Sequence, residues 1–266
     1  MTVVASFPSR DHRHRCGIYR CRRTDPLRHA RAEHATGADT PDFIAVARVC
    51  KGSPMRLDHV SYAVSHDELV DTIQRLGADL GASFVDGGRH PRFGTQNFIL
   101  PLQGNMYIEV VAALDHPAAD QAAFGRAVRS RAESGGGWMG WVVAVQDLAP
   151  FEARLGRDAV SGHRRRPDGV DLQWRQLGVI DLMDDPQLPF FVQWESPVSE
   201  HPSRGCQDVR ISKIEIAGDA DTLAEWLGEP SNHPLDNIDV EWVESEDGNG
   251  VVAVTFETAN GTVRLD

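Results

Sequence analysis

The chain has 266 residues, of which 41% are hydrophobic and 25% charged, with a net charge of −12. That composition is ordinary for a globular protein and excludes a mostly disordered chain, a collagen-like repeat and a disulfide-stapled mini-protein. No apolar run approaches membrane-spanning length, so no membrane partner is expected. The acid excess argues against a nucleic-acid partner, because phosphate contact needs basic surface.

The charge is uneven. Residues 1–54 carry 10 Lys+Arg against 5 Asp+Glu. They show no sustained period and few large apolar residues, which predicts a disordered basic tail ahead of a working protein that starts near Met55. Within the tail, His12, His14, Cys16 and Cys21 fit no zinc-ligand spacing well. Cys206 is the one cysteine of the acidic body, a usage that fits a reducing cytoplasm.

The body repeats one unit. The first copy opens with the strand LDHVSYAV, Leu57 to Val64. Ser65 and Glu68 form a capping box, Leu69, Val70, Ile73 and Leu76 recur at helical spacing, and Gly77 is the expected stop. The strands GTQNFILPL and NMYIEVVAA follow. Residues 115–137 link to the second copy, with a helix expected around Ala122 to Val128 and a flexible Gly135 to Gly137. The second copy opens with WMGWVVAV, Trp138 to Val145. Asp147 caps its helix, Gly156 stops it, and GVDLQWRQL and LPFFVQWES follow. The third copy opens with ISKIEIA, Ile211 to Ala217. Asp221 is its expected cap and Gly228 its stop. Three further strands follow, joined by the turn sequences EDGNG and ANG. Each unit reads strand, helix, then about three strands. One such unit leaves a sheet face bare, so copies must pair to build a core.

The paired units resemble the vicinal oxygen chelate superfamily, which spans glyoxalases, bleomycin-resistance proteins and extradiol dioxygenases. More narrowly they resemble its glyoxalase-like domain family. LDHVSYAV, GGRHPRFGTQN, YIEVVA, RRRPDGVDLQW, LPFFVQWE and His201-Pro202-Ser203 carry the resemblance, in order, from about Met55 to Ser203. The fold it implies is α+β: paired βαβββ modules (55–114 and 138–203) in a curved, partly closed mixed sheet around a cleft. A third βαβββ-like module (204–266) is appended. Fold alone does not fix the reaction.

Strand alternation puts His59 and Glu109 on one face, opposite the apolar positions that pack under the helix. The superfamily's metal sites use a first-strand ligand and a last-strand carboxylate from each module. The resemblance therefore implies His59 and Glu109 as ligands to a divalent metal such as Zn, Fe, Mn or Ni. In the second module the position matching His59 is Gly140 or Met139, neither a useful ligand. Gln193 or Glu195 on the last strand would complete the set. His90 is the candidate acid or base. Asn97, Arg92, Arg165 and Trp174 are candidate substrate contacts, with the run Arg164 to Arg166 suited to a carboxylate or phosphate. There is no phosphate-cradling glycine loop, no G-x-S-x-G elbow and no H-E-x-x-H.

Two functions fit these residues. One is a metal-dependent enzyme of the lyase, isomerase or dioxygenase type acting on a small oxygen-rich metabolite. The other is a metal-free protein that sequesters a small hydrophobic or aromatic compound. The resemblance leaves room for a homodimer.

Overall fold

In a computed structural model, the described residues are 55–166, 168–230 and 234–266. The expectations for residues 1–54, including the His12 to Cys21 tract, lie outside them.

The first module is β1 (Arg56–Val64), α1 (Leu69–Leu80), β2 (Val85–His90), β3 (Thr95–Leu102) and β4 (Met106–Ala113). Ser65 Oγ donates to Glu68 Oε2 at 2.7 Å, so the predicted capping box forms. The helix runs past Gly77 and ends at Gly81, whose φ of 63° makes it the left-handed cap. Leu76 and Leu80 are both buried, and burying the second leucine carries the helix one turn beyond its first glycine.

The linker supplies α2 (Ala123–Glu133). The second module is β5 (Gly137–Ala144), α3 (Ala149–Leu155), β6 (Val160–Arg165), β7 (Asp171–Leu177), the short α4 (Asp181–Asp184) and β8 (Phe190–Trp194). Asp147 Oδ1 accepts from the Ala149 N–H, and Gly156 caps the end of α3 at φ 65°.

These eight strands form one sheet in the order β2-β3-β4-β1-β5-β8-β7-β6. Each module's last strand lies parallel to its first, β4 on β1 and β8 on β5. The two first strands run antiparallel at the centre, joining the modules about an approximate two-fold. The edge strands β2 and β6 curl toward each other, since His90 of β2 and Arg164 of β6 line one cavity.

The third module is β9 (Val209–Ala217), α5 (Ala220–Leu227), β10 (Asp239–Val243), β11 (Gly250–Thr258) and β12 (Gly261–Leu265). Its helix is capped by Asp219, two residues before the expected Asp221, whose N–H Asp219 accepts. The element order repeats, but the pairing does not. The sheet order is β10-β9-β11-β12, and the strand parallel to β9 is the one directly after the helix. A helical crossover is one of the few ways to bring a chain back parallel to its starting strand.

One apolar core spans both sheets, from Leu57 and Phe191 to Ile214 and Phe256. Trp138 stacks on Phe256, and its Nε1 donates to the Leu265 carbonyl at 3.0 Å. Asn237 clasps the backbone of β1: its Oδ1 accepts from Leu57 N at 2.8 Å and its Nδ2 donates to Leu57 O at 3.2 Å. The third module thus packs on the strand that carries Asp58 and His59. Replacing Asn237 with Ala removes the side-chain partner of two backbone groups, and should cost about 1–3 kcal/mol. Urea unfolding should show a lower midpoint with an unchanged slope.

Candidate functional site

A cavity of about 90 Å³ opens on the concave side of the eight-stranded sheet. Its two halves differ in chemistry. The first module supplies His59, His90, Thr95, Asn97, Tyr107 and Glu109. The second supplies mainly an apolar wall of Leu172, Trp174, Val179, Phe190, Val192 and Trp194, with Arg164 and Gln176 as its polar groups.

Asp58 sits behind the cavity, with no exposed surface. Its Oδ2 accepts from His59 Nδ1 at 3.0 Å, and its Oδ1 accepts from His201 Nε2 at 3.1 Å. Trp194 Nε1 lies 3.2 and 3.3 Å from the two oxygens, and Arg56 makes an ion pair at 2.9 Å. Burial alone would raise the Asp58 pKa. The hydrogen bonds from His201 and His59, with the charge of Arg56, outweigh burial and hold it far below the usual carboxylate range.

These bonds set the tautomers. Ser203 N–H donates to His201 Nδ1, so His201 carries its proton on Nε2 and gives it to Asp58. His59 donates from Nδ1 to a carboxylate oxygen, so when the ring carries a single proton that proton sits on Nδ1 and Nε2 holds the lone pair. The His59 ring stacks on Tyr107, with centroids 4.3 Å apart, and meets Phe190 edge-on. The imidazole is thus fixed at its back and on its face.

Glu109 is held by neutral donors. Ser61 Oγ donates to its Oε2 at 2.9 Å, and Asn97 Nδ2 donates to its Oε1. Register explains the meeting: Ser61 pairs with Glu109 across β1 and β4, and both point into the concave face. Burial, then the charge of Arg164, lowers the pKa of His90 from 6.5 to about 4. Glu109, the Gly87 carbonyl and Asp86 pull the other way without prevailing. His90 is therefore neutral at pH 7.

Six buried side-chain polar atoms lack a hydrogen-bond partner among the described residues. Four of them belong to residues that line this cavity: His90 Nε2, Thr95 Oγ1, Asn97 Oδ1 and Arg164 Nε. Native interiors satisfy nearly all such atoms. Their concentration here sets this cavity apart from the rest of the described interior.

The structure brings His59, Glu109, His90, Asn97 and Trp174 to one cavity. Gln193 and Glu195 lie elsewhere. Gln193 Oε1 accepts from Leu148 N at the start of α3, on the helix side of the sheet, and Glu195 is exposed beyond the end of β8. The cause is a shift of odd length, which turns a strand's residues onto the other face. Ser61 matches Val142 in the repeat; Ser61 pairs with Glu109, and Val142 pairs with Phe190. Phe190 thus stands where Glu109 does, while Gln193 matches buried Ala112. Arg92 is exposed and lines none of the cavity. Arg165 faces outward, and its neighbour Arg164 faces in. Asp58 and His201 carry the site's strongest hydrogen-bond network without having been singled out. The adjacent pair Asp58-His59 and the motif His201-Pro202-Ser203 were their sequence signals.

A divalent metal does not fit this donor set. Among the described residues no three His, Cys, Asp or Glu side chains are grouped to hold one. The second module offers Gly140 and Phe190 where ligands would be needed, and a Cβ on Gly140 would lie 2.7 Å from Leu182 Cδ1. The second half has filled its ligand positions with packing. Trp174 extends this pattern, since its indole lies where a Cβ on Gly162 would come within 2.3 Å.

The His90 value fixes a pH dependence. Between pH 6.5 and about 4 the unfolded chain takes up a proton that folded His90 refuses. Stability should therefore fall as the pH drops through that window, by up to about 3 kcal/mol, and be insensitive to this group above it. Urea titrations between about pH 7 and about pH 4.5 should show a shallower decline in His90→Gln than in the wild type.

A family model described as "Glyoxalase-like domain" matches residues 57–230. No curated protein matches the chain. Among solved structures, a hypothetical protein from Staphylococcus aureus superposes with a TM-score of 0.62 at 16% identity, over 80% of this chain and 99% of that one. Methylmalonyl-CoA epimerase from Mycobacterium tuberculosis gives a TM-score of 0.37 at 18% identity, over 53% of this chain and 89% of that one. A Streptomyces coelicolor methylmalonyl-CoA epimerase variant in complex with 2-nitronate-propionyl-CoA gives 0.34 at 14%, over 53% and 97%. With the paired-module sheet, its concave cavity and the family match over most of its length, the chain belongs to the glyoxalase-like domain family.

Proposed function

We propose that the cavity is the active site of an isomerase- or lyase-type enzyme that moves a proton on a small oxygen-rich metabolite, with His59 as general base. The observation that carries this reading is the carboxylate-anchored His59 imidazole, which shares a small cavity with four unsatisfied polar atoms.

His59 Nε2 takes the proton. Asp58 keeps the ring in the tautomer with a free Nε2 and stabilises the imidazolium that forms. The Thr95 hydroxyl donates to a substrate oxygen as charge develops there. Neutral His90, bonded through its other ring nitrogen to the Gly87 carbonyl, accepts from a substrate hydroxyl at Nε2. Glu109, locked by Ser61 and Asn97, is a second acceptor. The aromatic wall excludes water and strengthens these contacts. The donor set does not support a metal-bound ligand, so no step passes through a metal. Trp174, Trp194 and Phe190 favour a second reading, a protein that binds an aromatic compound without transforming it.

Proton transfer is read without knowing the physiological product. The protein is incubated in D2O with a panel of small 2-oxo and 2-hydroxy carboxylic acids, hydroxyaldehydes and hydroxyketones, and carbon-bound deuterium is followed by NMR. The wild type should exchange an acidic C–H in at least one compound. His59→Gln should lower that rate by about 10²- to 10⁴-fold, and prior dialysis against EDTA should leave it unchanged. Binding without exchange would favour the second reading; exchange that survives His59→Gln would remove His59 as the base.

A further inference from the structure

Among the described residues Arg164 is the one arginine or lysine that lines the cavity. It projects from the edge strand β6 toward β2, and its Nε is sealed from solvent without a partner. It makes no hydrogen bond or ion pair among the described residues. Glu109 lies near enough to act on its charge, but both Glu109 oxygens are bonded to Ser61 and Asn97. The other charged neighbours are Arg166, which repels it, and Asp86, the weakest of the influences on it. A guanidinium stays protonated even when buried. Burying it unpaired is unfavourable and persists only when something offsets it.

We infer that the substrate carries a carboxylate, and that Arg164 is the residue that binds it. The inference rests on the reading of the cavity as a substrate site and adds the chemical class. A planar guanidinium pairs with a carboxylate through two parallel hydrogen bonds, which fixes orientation as well as charge. The opposite wall of Trp174, Trp194 and Phe190 suits a flat apolar body on the same molecule.

The approach to the site matches. The seam between β2 and β6 is lined by Arg89, Arg165 and Arg166, together with Asp86 and Asn97, and Asn97 also belongs to the cavity. Arg166 is neutralised by Asp168. Arg89 and Arg165 are exposed and pair with nothing among the described residues. On a chain of net charge −12 this is a local positive mouth, which raises the concentration of small anions at the cavity. Arg165, a predicted substrate contact, would thus serve at the mouth while Arg164 serves inside.

The test is calorimetric titration of the full chain with benzoate, its neutral isostere benzamide, and phenyl phosphate. Wild-type protein should bind benzoate about tenfold to a hundredfold more tightly than benzamide. Arg164→Gln should bring the two within about twofold, and Arg164→Lys should keep part of the preference. Thermal melting gives a second readout that a structural arginine would not produce. Removing a half-buried cation that no side chain pairs should leave the ligand-free melting temperature unchanged or raise it. Equal binding of benzoate and benzamide, no binding of either, or a preference that survives Arg164→Gln would overturn the inference. So would a marked fall in the ligand-free melting temperature, or phenyl phosphate binding more tightly than benzoate. His59→Gln should retain the benzoate preference, so loss of proton transfer and loss of anion recognition are separable outcomes.

Discussion

Asp58 is the constraint on which the rest of the site depends. It is a fully buried carboxylate, and a buried charge is tolerated only when its lone pairs are filled. Arg56 and His59 come from its own strand, Trp194 from the last strand of the second module, and His201 from the segment beyond it. Satisfying one group therefore ties both modules and the segment after β8 to a single point. The same bonds choose the His59 tautomer and aim its lone pair away from the anchor.

The two halves of the sheet share a backbone plan and have divided the labour. The first module keeps the polar positions, with Ser61, Asn97 and Glu109 in one hydrogen-bonded cluster. The second has Val142 and Phe190 where the first has Ser61 and Glu109, and Phe190 and Trp174 present an apolar wall to the cavity. A duplicated fold with one polar and one packing half explains why a symmetric ligand set is missing while the cleft itself is intact. It also explains the unpaired atoms: the polar half faces an apolar wall that offers only Arg164 and Gln176 in return.

Much of the fold was legible in the sequence, because each copy announces itself by an alternating strand, a capped helix and a stop glycine. Gly156 and Gly228 end their helices as expected, and Gly77 does not, because Leu80 adds a buried turn. Alternation along β1 and β4 also placed His59 and Glu109 correctly on one face. What sequence could not supply was register between strands. The frame that related β8 to β4 differed by an odd number of residues from the observed one, and that put Gln193 and Glu195 on the wrong side of the sheet. The same one-residue uncertainty in the Arg164 to Arg166 run separated the inward Arg164 from the outward Arg165. Asp58 escaped notice for a related reason: strict alternation turns it away from the cavity, and the β1–β5 register shift between Leu57 and His59 lets it reach back to the His59 ring. The third module's pairing order was likewise invisible, because its element order is the same as in the first two.

The central claim is that Asp58 fixes the His59 proton on Nδ1 and leaves Nε2 as the ring nitrogen that faces the cavity. Long-range ¹H–¹⁵N NMR on histidine-labelled protein at neutral pH reads this directly, with His59→Gln used to assign the signal. The account predicts a protonated Nδ1 and a pyridine-like Nε2 that moves when a carboxylate ligand is added. A proton on Nε2, a doubly protonated ring, or a metal-bound Nε2 would contradict it.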